Sequence, residues 1–299
     1  MKIRWNPIVK KDLQVTARSM RISWGLFAYE AVLTMIFLLA LSIIRQESSS
    51  FYSSGNIYGY LIYLFPVLSI TQVCIVVLIL PVMTASSISG EKERQTFDIM
   101  LTTCMSPFSI VLGKVMSAVL QILFFVAAGM PIMALAFVAG GLSWSYLFYF
   151  VLTIILLSLL SGSVGILCSA LCRRSITAVI LSYAFYFVIY GLTFLPMLLK
   201  LFMTRADNAG ESMLLLLFNP IIFYEEFFMH LMTGESIFSE ASSLSRNNVG
   251  FLTYHIAQGK TWMFLSAACI FLLSVLLLLA AAWKVNPMHS SPGRKPGQK

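Results

Sequence analysis

Few residues in this sequence have the type and spacing for bond-making chemistry. Glu225, Glu226 and His230 form the run E-E-x-x-x-H. Glu226 and His230 stand four apart, on one face of a helix, and with His255 as a third ligand they would suit a hydrolytic metal centre. No H-E-x-x-H accompanies them, and an amphipathic outer helix turning its polar side chains to water accounts for the same residues. Cys168 and Cys172 share a helix face at the same spacing, but they lie in an apolar run, where two small buried side chains are the plainer account. No metal site is assigned. The P-loop pattern G-x-x-x-x-G-K-[ST] is missing, and Gly113-Lys114 stands without the rest of it, so the chain does not cradle ATP phosphates by that device. Two features remain. Glu30 interrupts an apolar run, and Glu91, Lys92, Glu93 and Arg94 stand four in a row between two such runs.

The elements that must position these groups belong to a membrane. The chain is 59% hydrophobic and 11% charged, with a mean hydropathy of +0.87. A helix needs roughly 20 apolar residues to cross the ~30 Å hydrocarbon core. Six stretches qualify: 23–44, 60–83, 110–139, 146–171, 176–198 and 261–283. The expected fold is an all-α polytopic membrane protein with a six-span domain over 23–283. The polar N-terminus gives no sign of a removable signal peptide. The cysteines form no set in an exported loop, so no disulfide framework is expected.

Charge sets the orientation. With both ends inside, the cytoplasmic pieces 1–22, 84–109, 172–175 and 284–299, together with Lys114, hold 15 of the 20 Lys and Arg, and the outer pieces hold seven of the 12 acids. The positive-inside rule therefore predicts N-in, C-in. The same distribution places the basic residues against anionic headgroups, and no nucleic-acid partner is expected.

Residues 1–22 form the first unit. From Asn6 and Pro7 onward they read as an interfacial helix, with Val9, Leu13, Ala17, Met20 and Trp24 on one stripe and basic residues off it; a basic topology signal explains them too. Glu30 is an intramembrane polar candidate. It lies only about two turns from the cytoplasmic end of its span, so pairing there with water or a basic residue is the structural alternative. Pro66 and Pro81 in the second span and Pro131 in the third are kink candidates, for gating or for packing alone. The run SLLSGSVGILCSA, 158–170, is dense in small residues and predicts a close helix–helix approach. The outer loop 199–260 contains an apolar stretch broken at Asn219-Pro220, which reads as two short helices dipping into or lying on the outer leaflet. The tail 284–299 is Pro/Gly-rich, basic and expected to be disordered.

From Phe97 the apolar residues recur at helical spacing through Met100, Leu101, Cys104 and Met105, with Gln95, Asp98 and Thr102 on the other side. Ser106 and Pro107 read as the cap and first residue of the third span. The loop 84–109 thus contains a short amphipathic helix entered through a charged turn and fixed at both ends to spans. Mixed charge beside an apolar stripe suits a protein partner better than anionic headgroups.

The pattern G-E-K-E-R-x-T-F-D-x-[ML]-L-T-T, then S-P-x-x-[IV]-V-L-G-K, resembles the cytoplasmic loop of bacterial type-2 ATP-binding-cassette (ABC) exporter permeases. That family often has Gly where this chain has Gln95, and Glu where it has Asp98. The N-terminal run Asn-Pro-Ile-Val-Lys-Lys-Asp-Leu resembles the family's start more weakly. The resemblance implies a multi-pass subunit of the cytoplasmic membrane that pairs with a second permease chain, identical or sibling, above two copies of an ATPase. ATP and Mg would bind the ATPase; no cofactor is expected on this chain, and no catalytic role. It further implies a coupling helix in the loop. Glu91, Glu93 and Arg94 would orient and pair with the ATPase, and Phe97, Met100, Leu101 and Cys104 would form the docking ridge. The substrate would be exported; aromatic-rich spans such as 183–194 suit an amphipathic drug, peptide or lipid. Two alternatives stand beside this reading. One is an intramembrane metal-dependent enzyme using Glu225, Glu226 and His230; the other is a non-transport membrane scaffold or sensor. A secondary transporter would call for more charged or broken midplane helices than Glu30 alone provides.

Overall fold

A computed structural model describes residues 9, 12, 14, 19–50, 61–96, 106–142, 144–195, 215–233 and 260–285. Every regular element among them is helical: α1 Met20–Ser50, α2 Leu64–Glu93, α3 Pro107–Gly140, α4 Trp144–Leu171, α5 Ser175–Tyr186, α6 Pro220–Thr233 and α7 Lys260–Val285. A π turn, Phe187–Gly191, and a 3-10 turn, Leu192–Phe194, prolong α5. Six helices are long and apolar enough to cross a membrane, as the sequence predicts, and the chain is a polytopic all-α membrane protein.

The bundle is built around α4, which packs against α2, α3, α5 and α7. Within the most apolar part of each span, 67% of α4 is buried inside the protein against 11% of α1, so α1 leans on the rim of the bundle. Lipid tails are as apolar as leucine, so burial alone drives helices together weakly, and close contact must come from shape. The small residues of α4 provide it. A Cβ on Gly165 would fall on Thr84 Oγ1 of α2 and lie 2.9 Å from Thr84 Cβ, so only glycine fits that crossing. One turn earlier, Gly162 faces Val115, Leu80 and Thr84. The expectation of a close approach over 158–170 is met.

Helix ends follow local chemistry. Ser106 is the N-cap of α3: its hydroxyl accepts from the Ser109 N–H at 3.3 Å, with Pro107 in the first turn. Pro81 and Pro131 lie inside α2 and α3, where each leaves a carbonyl one turn back without its helical donor. Pro66 does not fit the kink expectation. It sits in the first turn of α2, where the missing N–H has no helical partner to lose.

α2 also runs past its expected end. The apolar run stops near residue 83, but the helix continues to Glu93. Thr84, Ser86 and Ser89 donate their hydroxyls back to the carbonyls of Leu80, Val82 and Ala85, which satisfies them within the helix. The charged turn expected at 91–93 is therefore the last turn of a spanning helix.

Within the outer loop 199–260, the described part is 215–233. Asn219 organises it. Its Oδ1 accepts the Ile221 N–H at 2.9 Å, and its Nδ2 donates to the Tyr190 carbonyl and Thr193 Oγ1 at 3.1 and 2.7 Å, tying the start of α6 to the irregular end of α5. Phe223, Tyr224, Phe227 and Phe228 of α6 then join the same core cluster as Phe65, Phe137 and Phe150. α6 is a packed part of the bundle.

Candidate functional site at the end of the second helix

The last turn of α2 carries three consecutive charged residues, 100° apart around the helix. Each therefore reaches a different neighbour. Glu91 Oε1 accepts from Lys114 Nζ of α3 at 2.7 Å. Lys114 Nζ is also 3.8 Å from Asp12 Oδ2, and Ser117 Oγ donates to the same oxygen at 3.2 Å. Lys92 Nζ donates to the carbonyls of Ser169, Ala170 and Cys172, at the C-terminus of α4. Glu93 accepts the Ser175 N–H at 3.0 Å and the Ser175 hydroxyl at 2.7 Å, at the N-terminus of α5.

The signs match the helix ends they meet. A cation covers the carbonyls that close α4, and an anion covers the N–H groups that open α5. Ser169 Oγ adds a link from the α4 side by accepting the N–H groups of Ile88 and Ser89 at 2.9 and 2.8 Å. One helical turn thus pins α3, α4 and α5, and Lys114 and Ser117 of α3 hold Asp12 of the N-terminal segment in turn. A displacement of this turn is felt by all four.

α2 closes with its chain reversed by hydrogen bonds. Gln95 N–H donates to the Lys92 carbonyl at 3.2 Å and Thr96 N–H to the Glu91 carbonyl at 3.0 Å. This pairing is the Schellman motif, and it needs a left-handed residue after the cap. Gln95 takes that conformation at φ 58°, alone among the described non-glycine residues. It occupies the position where the exporter-permease loop often has glycine, which gives that preference a physical reason.

Of the residues expected to couple to a partner, Glu91, Glu93 and Arg94 are described. The two acids are engaged within the chain, and Arg94 is exposed beside them. Phe97, Met100, Leu101 and Cys104 lie outside the described residues. Sequence reasoning missed Asp12, Lys92, Lys114 and Ser175. The signal for two of them was present: Asp12 sits in the N-terminal run and Lys114 in the L-G-K run, two stretches carrying the resemblance, and the structure brings them together.

Glu30 lies beside a contact that joins three spans. Its neighbour Tyr29 accepts a 2.6 Å hydrogen bond from Gln72 Nε2 and packs on Gly129. Gln72 is about 30 Å along α2 from Glu93, and Gly129 roughly 33 Å along α3 from Pro107, at 1.5 Å per residue. Glu30 itself stands eight residues, about two turns, into the span Ile22–Gln46, as the sequence reading has it. Glu30 Oε1 is buried without a hydrogen-bond partner among the described residues, as is Oε1 of the fully buried Gln72.

The metal alternative gains nothing. Glu225 is exposed and Glu226 fully buried, so the two carboxylates turn apart, and Glu226 also departs from the expectation that this helix turns its polar groups to water. Among the described residues no three His, Cys, Asp or Glu gather at metal-binding distance. His255 lies outside them.

Residues 36–283 match the family model described as ABC-2 family transporter protein. No curated protein matches the chain. The match covers most of the sequence, and the chain belongs to the ABC-2 transporter family. It is a multi-pass membrane permease subunit of an ABC transporter, in a family that normally works with a separate ABC ATPase.

Proposed function

From that membership we propose that this chain is the permease half of an ATP-driven exporter of the cytoplasmic membrane. Two permease chains, identical or sibling, stand above two ATPase subunits that bind ATP and Mg. The substrate is an amphipathic drug, peptide or lipid. Both termini are cytoplasmic, in keeping with the excess of Lys and Arg on the α2–α3 side. Phe97, Met100, Leu101 and Cys104 form the ridge that enters the ATPase, with Arg94 at its edge.

The observation that carries the reading is the pinned end of α2. A loop driven by a partner moves the spans only if it is attached to them rigidly, and the last turn of α2 grips the termini of its neighbours by ionic and capping contacts. Glu91 and Glu93 thus act as pins that carry a push from the loop into α3, α4 and α5.

Purification of the tagged chain in mild detergent, with mass spectrometry of its companions, tests the assembly. A Walker-motif ATPase at near-equal amount is expected, lost on Phe97→Asp. Recovery of the chain alone would sink the reading. Glu93→Lys is expected to insert normally and abolish transport while the ATPase still binds, because it frees the start of α5 without touching the ridge. An impermeant thiol reagent is expected to label Cys104 from the cytoplasmic side only; labelling from outside would invert the topology.

A further inference from the structure

The fifth span is held by two different sets of neighbours. Its first part, α5, is tied to α2 and α4. Ser175 donates to Glu93, Tyr183 Oη donates to the Leu78 carbonyl at 2.6 Å, and Tyr186 Oη donates to the Ser161 carbonyl at 2.9 Å. Its last part is tied elsewhere. Asn219 Nδ2 donates to the Tyr190 carbonyl and to Thr193 Oγ1. Phe194 packs on the cluster of Leu216, Leu217, Ile222 and Trp262, around the starts of α6 and α7. Ser266 Oγ of α7 donates to the Leu217 carbonyl at 2.8 Å and closes that group. The border between the two attachments falls in the π turn Phe187–Gly191 and the 3-10 turn Leu192–Phe194.

These turns sit between two geometries. Gly191 and the β-branched Val188, Ile189 and Thr193 all weaken an α-helix. None of the side chains of the two turns is fully buried, whereas Ala178, Ser182 and Tyr186 of α5 are. The Leu192 N–H reaches both the Phe187 carbonyl, five residues back, and the Val188 carbonyl, four back. The first is the π partner and the second the α partner, so one donor serves both registers. Straightening the turn to α would advance every later residue by one helical step, about 100° and 1.5 Å. The Tyr190 carbonyl would then take the Phe194 N–H, and Thr193 would swing away from α6. Asn219 opposes both moves. Among the described residues, the hydrogen bonds that join these turns to another element both come from it. Thr193 Oγ1 passes the tie on to the Ile189 carbonyl at 2.8 Å. Asn219 is itself fully buried, and its Oδ1 caps α6, so the direction of its amide is fixed.

We propose that residues 187–191 are a register joint in the fifth span and that Asn219 is the positioning residue that latches it. Latched, the end of the span moves as one body with the starts of α6 and α7. Unlatched, the π turn relaxes to α and the end of the span turns by one step. A push that arrives through Glu93 and Ser175 is then no longer passed to α6. The joint needs only a permease subunit folded in a membrane, and it stands or falls separately from the export reading.

The test puts spin labels at Ile180→Cys and Leu195→Cys, two exposed positions on either side of the joint. It uses the full chain in lipid nanodiscs, with its copurifying subunits and with the native cysteines replaced by alanine. Double electron–electron resonance reads the distance between the labels. The unaltered joint is expected to give one dominant distance. Asn219→Ser keeps an oxygen to cap α6 but is too short to reach α5. It is expected to raise a second, discrete distance about tenfold in population, the worth of one to two hydrogen bonds. Thr193→Val removes one of the two acceptors without touching α6, and is expected to shift the populations the same way by a smaller factor. Deletion of the half-exposed Val188 shortens the π turn to an α turn and leaves no step to take. In that background Asn219→Ser is expected to leave a single distance. No second distance in either latch variant would overturn the proposal. So would a broad, featureless spread, which would mean that the end of the span frays. The same shift in the deletion background would place the motion outside the π turn and equally end the reading.

Discussion

The end of α2 and the middle of the bundle hold polar groups in opposite ways. At the end, Asp12, Glu91, Lys92, Glu93 and Lys114 all meet a group of another element at hydrogen-bond or ion-pair distance. In the middle, Gln72 gives its N–H to Tyr29, and among the described residues its carbonyl oxygen and one carboxylate oxygen of Glu30 are buried without a partner. Near the headgroups, water competes with every contact, so the groups there serve as pins whose strength comes from geometry and number. At membrane depth an unmatched polar atom costs about 1–3 kcal/mol. The contrast separates the end, which is built for attachment, from the middle, where polar groups are matched only in part among the described residues.

Reversing one charge at the end is expected to have the largest effect. Lys114→Glu would gather three carboxylates where the side chain is 10% exposed, and breaking a buried pair of this kind costs about 3–5 kcal/mol. Loss of accumulated protein, or of all transport, is expected. Glu91→Lys combined with Lys114→Glu restores opposite signs and is expected to recover much of the loss. No recovery in the double variant would mean that the pair is not what binds α2 to α3.

The interior gives the next largest effect, and on transport instead of folding. Glu30→Gln keeps shape and removes the charge. Transport is expected to fall about tenfold, near 1.4 kcal/mol on the barrier, with the chain still inserted. Unchanged transport would return Glu30 to a structural role. Gln72→Leu removes one good hydrogen bond together with one unmatched acceptor, so its net effect on thermal stability is expected to stay within about 1 kcal/mol. A large destabilisation would show that Oε1 has a partner in the membrane, and the contrast with the charged end would weaken.

Membrane spans are legible because their signal is length and apolarity, which belong to one segment at a time. All six were found that way. The signal failed at α2, where Thr84, Ser86 and Ser89 look polar in sequence and are satisfied by their own helix, so that the loop expected from 84 starts ten residues later. The charged run was conspicuous as a cluster, yet nothing local reveals that Glu93 caps α5 or that Lys92 closes α4. Those partners lie 77 to 82 positions away. The small-residue run was legible as close packing because Gly and Ser have little else to offer in a membrane.

The finest test concerns Gln95. A residue with a Cβ in the left-handed region loses roughly 1–2 kcal/mol relative to the right-handed one, and glycine loses nothing there. Gln95→Gly would relieve that strain but add freedom to the unfolded chain, so a net gain of about 0.5 kcal/mol is expected, read as a small rise in melting temperature. Gln95→Pro, which lacks the N–H donated to Lys92 and has φ locked negative, is expected to destroy the reversal and disconnect the loop from the pins. If glycine raises stability and leaves transport intact while proline ends transport with α2 still folded, the reversal is a mechanical joint. Strain at that joint is then incidental, and its direction is what the chain needs, because a push on 97–105 enters α2 through the turn that these two hydrogen bonds close.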